Sequence, residues 1–195
     1  MTETTTATEN VRSWNGLTIP TAGSFTLDPA HSKTGFVAKH MMVSKVRGHF
    51  ADLTGSLTIA EDPTQSSVEV TIKPASITTG AGDRDNHLRS ADFFDVENFP
   101  ELTFRSTAVT GIDENEFVLA GDLTIRGVTK SVELKATFEG LGVNPWGVQV
   151  LGFSATTQID REDWGLTWNA ALETGGVLVG KKITIEIDAE FNPAS

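Results

Sequence analysis

The chain has no cysteine among its 195 residues. Disulfide cross-links, thiolate nucleophiles and cysteine-ligated zinc sites are therefore excluded. It also lacks any run approaching the ~18 consecutive apolar residues of a membrane-spanning helix, so no stable membrane insertion is expected. Basic residues are scarce: 15 Lys and Arg stand against 26 Asp and Glu, for a formal net charge of -11. That excess repels phosphate backbones and anionic membrane surfaces, so nucleic acid is not an expected partner. The opening MTETTTATEN has neither a basic region nor an apolar run. It does not read as a secretory signal, and a cytoplasmic location is the expectation. Residues 1–22 are polar and Thr-rich and are expected to form a flexible tail ahead of a single domain over 23–195. Trp14, Leu17 and Ile19 are the tail residues able to dock on the body.

From Ser24 onward the pattern has period two, the signature of strands with one apolar face. Phe25 and Leu27 open it, and Phe36, Ala38 and His40 share one face of the next strand. Phe50 leads into Leu53 and Leu57 with a change of parity, which predicts a β-bulge near Ala51 and Asp52. Val70 and Ile72 follow, and Pro74 ends that strand. Later strands carry Leu102, Phe104, Ser106 and Ala108, then Leu119, Gly121 and Leu123, then Leu134 and Ala136. Phe153 marks another strand, and Ile185 and Ile187 mark the last. Alternation of this kind suits antiparallel strands, and the scarcity of helix excludes a βαβ architecture. About eight strands can form a sandwich or close into a barrel.

One stretch breaks the pattern. DRDNHLRSADFFDVENFP, at 83–100, predicts a helix capped by Asp83, Asp85 or Asn86, with acidic residues at its positive end and an apolar face of Leu88, Ala91, Phe94 and Val96. A lone short helix needs tertiary support. It is expected to lie on the sheet or over a barrel mouth, with Leu88 and Phe94 turned inward.

Candidate chemistry is sparse. His31, His40 and His49 recur at intervals of nine, which on strands alternates faces, and His87 stands apart. No HxH, HExxH or His–carboxylate cluster stands out, so neither metal nor cofactor is expected. His40, beside Phe36 and Ala38, reads either as a hydrogen-bonded core histidine or as a polar contact for a ligand head group. The loop DREDWGLTWNAALETGG, 160–176, sets Arg161 among Asp160, Glu162 and Asp163. Paired carboxylates can serve acid–base chemistry, but this arrangement reads first as a structural salt-bridge knot. Trp164 and Trp168 in the same loop read as packing on the body or as the lining of a pocket mouth. Ser154, in GFSAT, lacks the nucleophile-elbow pattern.

Several stretches, in order, carry a resemblance: FTLDPAHSKTGFVAKHM, SADFFDVENFPELTFRS, LTIRGVTKSVEL and IDREDWGLTWN with GGVLVG. Together they resemble the YceI-like family of lipocalin-like, polyisoprenoid-binding bacterial proteins, from about Ser24 to Phe191. The resemblance implies an all-β fold: an eight-stranded antiparallel lipocalin-like barrel with one short helix near a mouth. It implies a non-enzymatic protein that binds, transports or stores a long apolar isoprenoid-type lipid, a polyprenyl chain or isoprenoid quinone, inside the barrel. Phe36, Ala38, Phe50, Leu57, Val70, Ile72, Phe104, Leu119, Leu123, Leu134, Phe153, Ile185 and Ile187, with His40, Leu88, Phe94 and Trp164, are the expected ligand contacts. Small inward residues such as Gly48, Gly55, Gly121 and Ala136 fit either a tapered cavity or barrel corners. A small enzyme acting on such a lipid and a solid-core interaction module are the alternatives.

The resemblance also implies a homodimer. Light scattering at micromolar concentration should return twice the 20.9 kDa chain mass; a monomer alone contradicts it.

Overall fold

Apolar–polar alternation makes the strands, and three interruptions decide how they are joined. The computed structural model describes residues 11–194. After a hairpin of β1 (Val11–Trp14) and β2 (Leu17–Pro20) come β3 (Gly23–Leu27), β4 (Lys33–His40), β5 (Ser44–Phe50) and β6 (Leu53–Ile59). Next are β7 (Ser67–Ile72), β8 (Ile77–Thr78) and the helix α1 (Gly82–Arg89). Five longer strands complete the fold: β9 (Leu102–Asp113), β10 (Glu116–Ile125), β11 (Val128–Val143), β12 (Gln149–Asp160) and β13 (Val179–Pro193).

β3 and β4 are two halves of one bent strand, as are β5 with β6 and β7 with β8. The antiparallel order β3–β6–β7–β9–β10–β11–β12–β13 returns to β3, giving a closed barrel of eight strands. β4, β5 and β8 extend the wall upward from β13. The first two breaks lie where the sequence changes parity or turns. At Ala51 and Asp52 both amides donate to the Ser76 hydroxyl, at 3.1 and 2.9 Å, and that hydroxyl donates to Lys73 O at 2.6 Å. One side chain thus satisfies the backbone that the bulge unpairs.

Four sequence expectations change. The helix ends at Arg89, not near Pro100, because both the amide and the hydroxyl of Ser90 bond His87 O. Residues 91–99 then form turns, with Asp95 in the left-handed region (φ 49). Asp85 does not cap that helix; it is buried and accepts from the Thr79 amide, tying α1 to β8. Residues 11–20 are not a loose tail but a hairpin with Ile19 and Pro20 buried, held by Arg12 donating to Ala60 O at 2.6 Å; residues 1–10 lie outside the described residues. In β9 a bulge between Ser106 and Ala108 shifts the register against β10, so Ala108 turns out and Val109 turns in.

Replacing Ser76 by alanine leaves the Asp52 amide without its acceptor and the Ala51 amide with only Ser76 O, at 3.3 Å. Ser76→Ala should cost about 1–3 kcal/mol in urea unfolding; a change within noise would mean water takes over that role.

Candidate functional site

Closure turns the apolar strand faces into a lumen. Its cavity measures about 340 Å³, inside the range of about 300–1,000 Å³ usual for small-molecule sites. Along β9 its lining runs from Leu102 to Ile112. At roughly 3.3 Å per residue and a tilt near 40°, that is on the order of 25 Å. The volume spread over such a length is a slender tube. Its wall is almost wholly apolar. Glu114 and Asn115 of the β9–β10 turn, with Ser66 and Ser67, lie at one end and Arg161 at the other, while Thr34, Ser154, Thr157 and Asp188 border the lining along the strands.

The residues chosen from the sequence fall into place by strand. Phe36, Ala38, Phe50 and Leu57 line the tube from the first two strands, with Val70, Ile72 and Phe104 beside them. Leu119, Leu123 and Leu134 face them from β10 and β11, and Phe153, Ile185 and Ile187 complete the wall. Leu88 of α1, Phe94 of the following turn and Trp164 cover the upper end. His40 does not join them. It ends β4 opposite Val179, where β13 carries extra residues against β4, and lies beyond the rim. Phe93, Val109, Leu166 and the β2 pair Ile19 and Pro20 also line the tube and were missed. Phe93 and Phe94 are neighbours, and no spacing rule separates them while the helix is expected to continue.

The glycines explain why large rings leave a channel. A Cβ on Gly121 would lie 2.4 Å from the Phe104 ring and 2.7 Å from Arg105 O. A Cβ on Gly48 would meet the Phe36 ring at 2.4 Å. Each phenylalanine therefore lies flat on a bare stretch of backbone instead of crossing the lumen. Aromatic contacts finish both ends: Phe50 meets Phe94 edge-on at 5.6 Å, and Phe153 meets Phe138 at 5.2 Å and Phe191 at 6.0 Å.

The 160–176 loop is a structural knot of a kind different from the expected one. Arg161 is buried, and its guanidinium donates to the carbonyls of Gly180, Leu166 and Val179. Desolvation lowers its pKa. The acids turn outward to lysines instead, Glu162 to Lys181 at 2.7 Å and Asp160 to Lys182 at 3.6 Å. Trp164 donates its indole N–H to Leu123 O at 3.0 Å, fixing the loop over the tube. Among the described residues, no carboxylate of this loop lines the cavity.

Contrary to the sequence expectation, a His–carboxylate cluster does form: Asp28 and His31 are three residues apart, and distant Glu190 joins them. Asp28, His31 and Glu190 place one ligand atom each within 4.8 Å of the others on the outer surface. His31 Nδ1 lies 2.9 Å from Asp28, whose hydrogen bond raises the imidazole pKa and lowers the carboxyl's. The cluster pins the break between β3 and β4 to β13, since Asp28 also takes hydrogen bonds from Ala30 and Asn192. His87 pairs with Asp92 at 2.8 Å and stacks edge-on against Trp168.

With this geometry in hand, the comparisons are specific. The YceI-like domain model matches residues 25–191. The chain belongs to the YceI-like family. A UPF0312 protein of Staphylococcus aureus is 43% identical over 171 residues, 87% of this chain and 97% of that protein. The solved YceI protein of Campylobacter jejuni is 32% identical, with a TM-score of 0.68, covering 80% of this chain and 90% of that one. A polyisoprenoid binding domain from Saccharophagus degradans, implicated in plant cell wall breakdown, shares the fold at 15% identity and TM-score 0.68, covering 87% and 98%. This YceI-like barrel thus keeps one architecture across wide sequence divergence.

Gly121→Ala tests the flattened rings. The new methyl meets backbone, which cannot swing away, so a loss of about 1–3 kcal/mol is expected in thermal or urea unfolding. Unchanged stability would show that both the Phe104 ring and the backbone at Arg105 can shift to admit the methyl.

Proposed function

We propose that this protein binds a long apolar isoprenoid-type lipid, a polyprenyl chain or isoprenoid quinone, within the barrel, as a non-enzymatic carrier or store. The slender apolar tube carries this reading. A compact polar metabolite would find few hydrogen-bond partners along such a wall, whereas a hydrocarbon chain gains about 25 cal/mol for each Å² removed from water, before ordering costs. Family membership and the polyisoprenoid-binding neighbour support the choice of lipid. The same reading takes Phe36, Phe104, Leu119, Leu134 and Ile185 as chain contacts and needs no cofactor. A homodimer belongs to it as well. Against the enzyme alternative, neither the loop carboxylates Asp160, Glu162 and Asp163 nor His40 lines the tube, and Glu162 and Asp160 pair with Lys181 and Lys182.

Mass spectrometry of organic extracts of the purified protein, beside an Ala136→Phe variant, tests this. Ala136 lines the tube and is buried. A prenyl lipid should copurify with the wild type and be at least tenfold depleted in the variant, which should stay folded because the ring enters free space. Equal recovery from both folded proteins would overturn the tube as the site, and turnover of the lipid would favour an enzyme.

A further inference from the structure

The connection between β4 and β5 projects past the barrel rim on the side covered by α1 and Trp164. It carries three separate unfavourable features. Met41, Met42 and Val43 are 44, 58 and 89% exposed. Met41 and Met42 both sit in left-handed backbone, φ 52 and 61, while the Val43 amide donates to His40 O at 3.1 Å. A turn of this shape favours Asn-Gly, not two long apolar side chains. At its base Lys39 stands directly opposite Lys45. Like charges paired across strands are destabilising. Neither lysine has an ion-pair partner among the described residues, although Arg47 on the same strand meets Glu186 at 3.1 Å. Met42 also approaches Gly176, in the small hairpin closed by Ala171 and Val177, which carries Glu173. In a chain of net charge -11, an apolar tip on a cationic base is a local reversal.

We propose that this tip docks on an anionic lipid bilayer. Met41, Met42 and Val43 enter the boundary between head groups and acyl chains, and Lys39 and Lys45 rest on acidic head groups. Apolar side chains flanked by lysines partition to that interface by combining burial with charge attraction. The protein's overall negative charge opposes this only weakly, since salt screens charges beyond about 8 Å. A second exposed tip, Trp146 at 83%, lies at the far end of the barrel in the sequence VNPWGVQ, with no charged residue beside it. It serves as an internal control. The proposal rests on the turn and its lysines, not on what fills the tube, so its failure leaves the carrier reading untouched.

Co-sedimentation of the full chain with phosphatidylcholine vesicles, with and without phosphatidylglycerol, tests it. The wild type should bind the phosphatidylglycerol vesicles, release them in high salt, and ignore pure phosphatidylcholine. Lys39→Gln with Lys45→Gln should weaken binding roughly 25-fold, at about fivefold per lysine. Met41→Asn with Met42→Gly should abolish binding yet melt no lower than the wild type, because those residues suit the turn. Trp146→Ser should bind as the wild type does. Absence of wild-type binding, binding that survives both tip variants, or loss on Trp146→Ser would overturn the proposal. So would a dimer that Met41→Asn with Met42→Gly converts to monomer, since a second copy would then cover the tip.

Discussion

Closure through β13 is the constraint on which the rest of the structure depends. This strand pairs with β12 along one side and with both β4 and β3 along the other. Without it the inner faces of the other seven strands would form an open sheet with its apolar side in water and two unpaired edges. With it, Leu151 and Phe191 face each other across the seam and are both buried. The same strand anchors the surface features around it. Arg161 reaches carbonyls at its start, and the Asp28–His31 cluster reaches Glu190 near its end.

The lumen that closure creates is not filled by protein. Ala136, buried on the tube wall, stands where a packed core would place a larger residue. Such an apolar-lined tube is not the solid core of the interaction-module alternative. Phe36 and Phe104, pressed on bare backbone, keep the wall apolar without closing the passage.

Much of the wall was legible because strand parity is a strict code. Phe117 to Ile125 and Val132 to Phe138 need only the alternation rule to be placed on the inner face. The break at Ala51 was legible for the same reason, since the parity of Phe50 and Leu53 cannot be reconciled within one regular strand. Other features were hidden by long-range causes. The bulge that turns Val109 inward is set by the partner strand, not by β9's own pattern. The helix end is set by Ser90 bonding back to His87. His40 keeps the parity of Phe36 and Ala38, but extra residues in β13 carry it past the rim. Arg161 was read correctly as structural, yet its partners are carbonyls on residues up to 19 positions away, which no local pattern reveals.

The central claim is that an extended hydrocarbon chain lies along the barrel axis. Solution NMR of the methyl-labelled protein, stripped of bound lipid and then loaded with a polyprenyl alcohol, tests it most directly. Nuclear Overhauser contacts should run from the chain to methyl groups at both ends and the middle of the tube, including Leu88, Leu119, Leu134 and Ile185. Contacts confined to outward-facing methyl groups, or a lumen whose signals do not change on loading, would contradict it.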